Sequence, residues 1–164
     1  MTNYYCLVTG LPDLSLDDGK LNYTVANFKT ELYPQLSKED KKLIDLFYLK
    51  FDNENLLKLL KDKEAVIDAS LGNYSVDELL SVINSFKEEL PPDKKFPSYF
   101  YQFAALYLDS SEEERIGIED QLYGYYYDYA MSSSNAFVSS WYELNLNVNN
   151  ILSALSARKY KMDV

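Results

Sequence analysis

The chain has 164 residues and a net charge of −10, and 47% of its residues are hydrophobic while 26% are charged. This length fits one domain or two small lobes, and the composition allows a packed core rather than global disorder. The acidic charge argues against nucleic acid and anionic membrane surfaces as partners, because phosphate binding needs clustered Lys and Arg, whereas a basic protein partner remains compatible.

The first third of the chain predicts helices of increasing length. The opening segment 4–8 is compatible with a strand or a helix, and Gly10 and Pro12 end it in either case. One apolar stripe at helical spacing predicts a helix that ends at Pro34; it consists of Leu21, Val25, Phe28 and Leu32. Ser37 and Asp40 then predict the start of a long helix that reaches Lys61 or beyond.

The rest of the chain also reads as helical. Ser75 and Glu78 form a capping box that opens a helix ending before the prolines of segment 91–97. A helix follows from about residue 97 to 107. Serines 110 and 111, followed by three glutamates, predict the start of the next helix, and a final helix spans about 136–159.

We therefore predict an all-α protein, a bundle of about six helices arranged in two partly repeated lobes. The first lobe covers residues 1–90 and the second, incomplete lobe covers 97–164, with the boundary near 91–97. Gly and Pro number only five each, and strict alternation of polar and apolar residues is scarce, which disfavours a β fold.

A sequence segment occurs twice at a constant offset of 95 residues, since 150 − 55 and 158 − 63 both give 95. Each copy starts with an aromatic residue, Phe47 or Tyr142, and continues with a polar pair, leucine-like residues and a basic residue. The first copy carries Asp52, Asn55, Leu56, Leu57, Leu60 and Lys63; the second carries Asn147, Asn150, Ile151, Leu152, Leu155 and Arg158. An internal repeat indicates repeated architecture.

The polar pair of each copy has two interpretations. Residues three apart on a helix face the same way, so each pair either makes local hydrogen bonds that fix helix packing or contacts a partner directly.

The tyrosine cluster of the predicted sixth helical segment also has two interpretations. Its members, Tyr123, Tyr125, Tyr126, Tyr127 and Tyr129, cover more than one helical face, and they either pack between lobes or form a partner surface.

Residues that carry common catalytic chemistry are scarce. The chain has no histidine, which removes the usual general base, the usual triads and most catalytic zinc sites. Cys6 lacks the histidine partner that would activate it as a nucleophile. The segment around Asp52 and Glu54 lacks the glycine and the final glutamate that a calcium-binding loop requires. A carboxylate pair for glycosidic cleavage stays open, although no pair stands out in an apolar setting. We predict no catalytic residue, no cofactor and no metal site.

The cysteine content and the absence of targeting signals indicate the cellular compartment. With a single cysteine no intrachain disulfide can form, which favours a reducing, cytoplasmic setting. The first residues have neither a basic segment nor a long apolar one, so we predict no signal peptide. The longest apolar run, about 103–108, is far shorter than the roughly 20 residues of a membrane span. We therefore predict no direct membrane insertion.

The repeated pattern, Asp-x-x-Asn followed by two aliphatic residues and a later basic residue, resembles the repeat of the C subunit of archaeal and vacuolar-type rotary ATPases. The opening segment 4–12 is similar to a bacterial family of unknown function that is associated with operons for such ATPases. The C subunit has three similar helical lobes, and this chain offers about one and a half. We therefore expect the N-terminal part of a longer protein or a shortened relative.

The resemblance implies a non-catalytic protein that couples the central stalk of the ATPase to its membrane ring of proteolipid subunits. The expected partners are these stalk and ring subunits, and the expected location is cytoplasmic, peripheral to the membrane through the complex. The alternative from the residues alone is a soluble acidic all-α adaptor unrelated to the ATPase. An enzyme would require a deep pocket with converging carboxylates and tyrosines.

Overall fold

The computed structural model describes residues 4–13 and 23–161, and within these ranges the ordered elements are all helical. The all-α prediction is confirmed, with seven α-helices in the described ranges against about six expected. They are α1 Tyr5–Thr9, α2 Val25–Asn27, α3 Lys38–Lys61, α4 Val76–Lys87, α5 Ser98–Asp109, α6 Ile118–Met131 and α7 Ala136–Tyr160. A π-helical turn, Phe28–Leu32, and a 3₁₀ turn, Tyr33–Gln35, continue α2. Leu21 of the predicted stripe lies outside the described residues.

Most of the predicted helix starts are confirmed, because local side chains satisfy the free N–H groups of each first turn. The Ser37 hydroxyl accepts a hydrogen bond from the backbone N–H of Asp40 at 3.1 Å. Ser75 and Glu78 form the complete capping box, with each side chain accepting from the other residue's backbone N–H. The Asn135 side chain caps α7 in the same way as Ser37 caps α3.

The predicted start of α6 at Ser110 or Ser111 is wrong. Ser111 and Glu114 do make reciprocal hydrogen bonds, at 2.8 Å and 3.4 Å, but they close only a turn. Gly117 then adopts φ of 79°, a left-handed conformation that ends the turn and that glycine tolerates best. The α-helix begins after it, at Ile118.

Helices α3 to α7 share one hydrophobic core, which the aromatic residues of α5 dominate. The largest fully buried side chains are Phe100, Phe103, Leu56, Leu59, Leu79, Ile83 and Leu122. Buried residues from both sides of segment 91–97 belong to this cluster. The division into two lobes stays a prediction.

The two repeat copies lie on α3 and α7, which are the longest described helices at 24 and 25 residues. They meet at their aromatic residues: the rings of Phe47 and Tyr142 are 5.4 Å apart between centroids. The Tyr142 hydroxyl also donates to the Leu46 carbonyl at 2.9 Å. Beyond Tyr142, α7 has no buried residue, so its second half stands away from the core. No helix in the described part of the chain is both long and apolar enough to cross a membrane.

Candidate protein interface

The first repeat copy is buried, and its polar residues fasten α3 to the loop that follows it. Asp52 is fully buried, and its carboxylate accepts hydrogen bonds from the backbone N–H groups of Asn73 at 2.9 Å and Tyr74 at 3.1 Å. The Asn73 side chain adds a third bond to this carboxylate at 3.0 Å. Three residues further along α3, the Asn55 side chain donates to the Asp68 carbonyl at 2.9 Å. These contacts favour the structural interpretation of the first polar pair over direct partner contact.

Lys29 holds the same loop from its other side. Its ammonium group donates to the carbonyl groups of Ser70, Leu71 and Gly72, and it lies 4.4 Å from the centre of the Tyr48 ring. Burial lowers the pKa of Lys29, while the nearby carboxylates of Asp52 and Asp45 act in the opposite direction. The loop at residues 70–74 is therefore clamped between α3 and a lysine from the preceding segment.

A wide cleft of about 730 Å³ opens beside this clamp, and two carboxylates lie close to it. Asp45 lines the cleft and accepts a hydrogen bond from the Tyr33 hydroxyl at 2.6 Å; burial raises the pKa of its carboxyl group. Asp52 lies behind Gly72 and Asn73, and its oxygens are occupied by the loop. Both carboxylates thus serve as acceptors for groups of the fold. In the described ranges, no group of three His, Cys, Asp or Glu side chains is placed to hold a metal ion.

The buried position of Asp52 predicts an unusual pH dependence. Burial raises the pKa of its carboxyl group from 3.8 to about 6, although the bonds from Asn73 and Tyr74 favour the charged form. Because the folded state holds this proton more tightly than the unfolded chain, the contribution of Asp52 to stability is full below pH 3.8. It is lost as the pH rises through about 6.

We expect the stability of the wild type relative to Asp52→Asn to fall by about 2 kcal/mol between roughly pH 4.5 and pH 7. Urea unfolding of both proteins at both pH values measures this difference, and the other titrating groups cancel in it. A difference that does not change with pH would show that Asp52 keeps an ordinary pKa in the fold.

Beyond Tyr142, the motif residues of the second repeat copy are all exposed. Asn147, Asn150 and Arg158 face solvent, and the aliphatic residues Ile151, Leu152 and Leu155 are 60%, 56% and 58% exposed. Their counterparts in the first copy behave differently: Leu56 and Leu60 are buried and Leu57 is half-buried. Lys63, the counterpart of Arg158, is exposed and donates to the Asn84 side chain at 2.7 Å. Equivalent residues of the two copies therefore differ in burial. The loop and the core cover those of the first copy, whereas no described element covers those of the second.

The tyrosine cluster divides between core and surface. Tyr126 is buried, and its hydroxyl contacts the Tyr142 hydroxyl at 2.7 Å and the Leu46 carbonyl at 2.9 Å. Tyr125 and Tyr127 are half-buried, and Tyr127 accepts a hydrogen bond from the Asn149 side chain at 2.9 Å. The most exposed members are Tyr123 and Tyr129, at 40% and 37%. Packing therefore accounts for the buried and half-buried tyrosines, while two remain available to a partner.

An aromatic groove of about 480 Å³ runs between α3, α6 and α7. Its walls combine Phe47 and Phe51 of the first repeat copy with Tyr123 and Tyr127 of the tyrosine cluster and Trp141 of α7. Trp141 is 44% exposed and stacks on Phe137, with 6.2 Å between ring centroids. The groove thus joins the tyrosine cluster to the exposed side of α7.

Two features of this region were not predicted from the sequence. Asn53 is buried between the repeat residues Asp52 and Asn55 and accepts a hydrogen bond from the Tyr99 hydroxyl at 2.8 Å. Phe137 and Trp141 extend the exposed apolar side of α7 toward its start. Their spacing of four residues was visible in the sequence, whereas their exposure depends on which elements pack nearby.

The fold defines an all-α protein with exposed apolar residues along its last described helix. The sequence matches one family model over residues 1–164, so the chain belongs to that family, which is described as a protein of unknown function, DUF2764. Searches of curated proteins and of solved structures found no match to the chain.

Proposed function

We propose that this protein is a non-catalytic component of a rotary ATPase of the archaeal and vacuolar type, similar to the C subunit of that complex. In this role it couples the central stalk to the membrane ring through protein contacts, and it is cytoplasmic and peripheral to the membrane. The observation that carries the proposal is the exposed second repeat copy. Ile151 and Leu155 occupy the register of the buried Leu56 and Leu60, yet they face solvent on a long helix.

Exposed aliphatic residues at helical spacing are costly in an isolated protein and useful where another helix covers them. The placement of both repeat copies on long helices that meet at Phe47 and Tyr142 supports the proposed relation to a repeated helical protein. The net charge of −10 suits a partner with basic residues around its contact surface.

The test is affinity purification of the tagged full-length protein from its native cells in mild detergent, followed by mass spectrometry. We expect stoichiometric recovery of catalytic, stalk and proteolipid-ring subunits. Ile151→Asp should lose these subunits, because it places a charge on the apolar face of α7. The matched control Ser153→Asp adds the same charge to an exposed position of the same helix and should retain them.

Recovery of none of these subunits, from a lysate in which the intact ATPase is demonstrably present, would reject the proposal. The soluble acidic adaptor would then be the better account, because the same exposed helix would serve it equally well. Recovery that is unaffected by Ile151→Asp would place the contact elsewhere on the molecule.

A further inference from the structure

The exposed apolar residues of α7 follow a coiled-coil repeat. Their spacing alternates between four and three residues along the helix, which is the spacing that aligns one side of an α-helix with a second helix. The series is Phe137, Trp141, Leu144, Val148, Ile151 and Leu155, and we call it the α7 seam. Every member is between 44% and 70% exposed, so the described residues leave a large part of each side chain uncovered.

The seam is self-complementary in the antiparallel sense. If two copies of α7 run in opposite directions about a dyad at residue 146, Phe137 faces Leu155 of the other copy. Under the same operation Trp141 faces Ile151 and Leu144 faces Val148, so all six residues find a partner. Two of these layers set a large aromatic ring against an aliphatic side chain. From its first to its last member the seam extends over about 27 Å of helix.

The charges beside the seam also permit this arrangement. The chain has a net charge of −10, but residues 144–157 contain no charged side chain. The positions that flank the seam near the dyad are Asn145 and Asn147, which meet their own copies without repulsion. A coiled coil of this type needs no charge of either sign along its contact, so the acidic surface of the molecule does not oppose it.

The end of α7 is basic, and the antiparallel arrangement carries it to a region without basic residues. Arg158, Lys159 and Lys161 follow the seam, and the dyad places them beside the turn between α6 and α7 of the other copy. Residues 129–142 around this turn carry no charge, and the nearest charged residues on either side, Asp128 and Glu143, are acidic. A parallel pair would instead bring the two basic ends together, which is unfavourable.

We propose that the isolated protein forms a twofold-symmetric dimer in which the α7 seams of two copies pair in antiparallel orientation. This inference goes beyond the proposed function, because it concerns the protein by itself and depends only on the seam. A closed isologous contact of this kind uses the same surface on both copies and leaves no free seam for further growth.

The first test is sedimentation equilibrium of the full chain over protein concentrations from about 1 to 200 µM. We expect a reversible monomer–dimer equilibrium. Ile151→Asp should raise the dimer dissociation constant by roughly 100-fold or more, since it buries two like charges in the paired seam. Ser153→Asp, which lies off the seam, should leave the constant within about threefold of the wild type. Circular dichroism of each variant checks that the helical content is unchanged.

The second test fixes the orientation by disulfide formation. In a Cys6→Ser background, chains carrying Trp141→Cys and chains carrying Ile151→Cys are mixed and oxidised mildly. Antiparallel pairing predicts the mixed 141–151 crosslink and little crosslinking of either variant with itself. Self-crosslinking of each variant without the mixed product would indicate a parallel pair and overturn the proposed orientation.

A monomer at every concentration would overturn the dimer and leave the seam for a different protein, as in the proposed function. A dimer that survives Ile151→Asp would show that another surface holds the copies together, and it too would overturn the inference. Neither result depends on whether ATPase subunits are recovered from cells, so the two proposals fail separately.

Discussion

Leu56→Ala is expected to lower the free energy of unfolding by about 2–5 kcal/mol, whereas Ile151→Ala is expected to change it by less than about 0.5 kcal/mol. The two residues occupy the same position of the internal repeat, 95 residues apart, and both are branched aliphatic side chains of equal size. Leu56 has no exposed surface, so its truncation leaves a cavity in the core; Ile151 is 60% exposed and loses little buried area.

Chemical denaturation of both variants provides the comparison. It should be performed at concentrations low enough that the chain is monomeric, because pairing through the α7 seam would add a concentration-dependent contribution at Ile151. The two variants control for each other, because both remove a branched aliphatic side chain from the same position of the repeat. The two sites differ in how deeply that side chain is buried. Equal and large losses would show that the second half of α7 is covered in solution by part of the same molecule.

This contrast also marks what the sequence could predict. The repeat fixes register: it places Asp52 and Asn147, or Leu56 and Ile151, at equivalent points of two long helices. Capping residues such as Ser37 and Ser75 locate where helices begin, because the hydrogen bonds that they make are local. Hydrogen bonds between residues close in sequence can be predicted without any knowledge of tertiary packing.

Burial and partners at the repeat were not predictable in the same way. The sequence offered two interpretations of Asp52, and the deciding contacts come from Asn73 and Tyr74, more than 20 residues away. The exposure of the second copy depends on which elements pack against α7, which no local pattern encodes. At α6, the predicted start at Ser110 or Ser111 was overridden by the left-handed Gly117 a few residues later.

Gly72→Ala is expected to lower the free energy of unfolding by about 3 kcal/mol, because the added methyl group has no room. A Cβ atom at this position would lie 2.2 Å from the nearer carboxylate oxygen of Asp52, well inside contact distance. Asp52 cannot retreat without losing the bonds from Asn73 and Tyr74 that fasten the loop to α3. Its displacement would leave partly buried donors and a buried charge without partners, which adds to the steric cost.

Gly124→Ala provides the matched control for that measurement. Gly124 lies within α6, where an added Cβ meets no atom within 4 Å, so the helix gains about 0.5–1 kcal/mol from the better helix former. Urea denaturation should therefore move the two midpoints in opposite directions. If Gly72→Ala were as well tolerated as Gly124→Ala, the loop at residues 70–74 could yield without loss, and the clamp around Asp52 would not be what secures the first repeat copy.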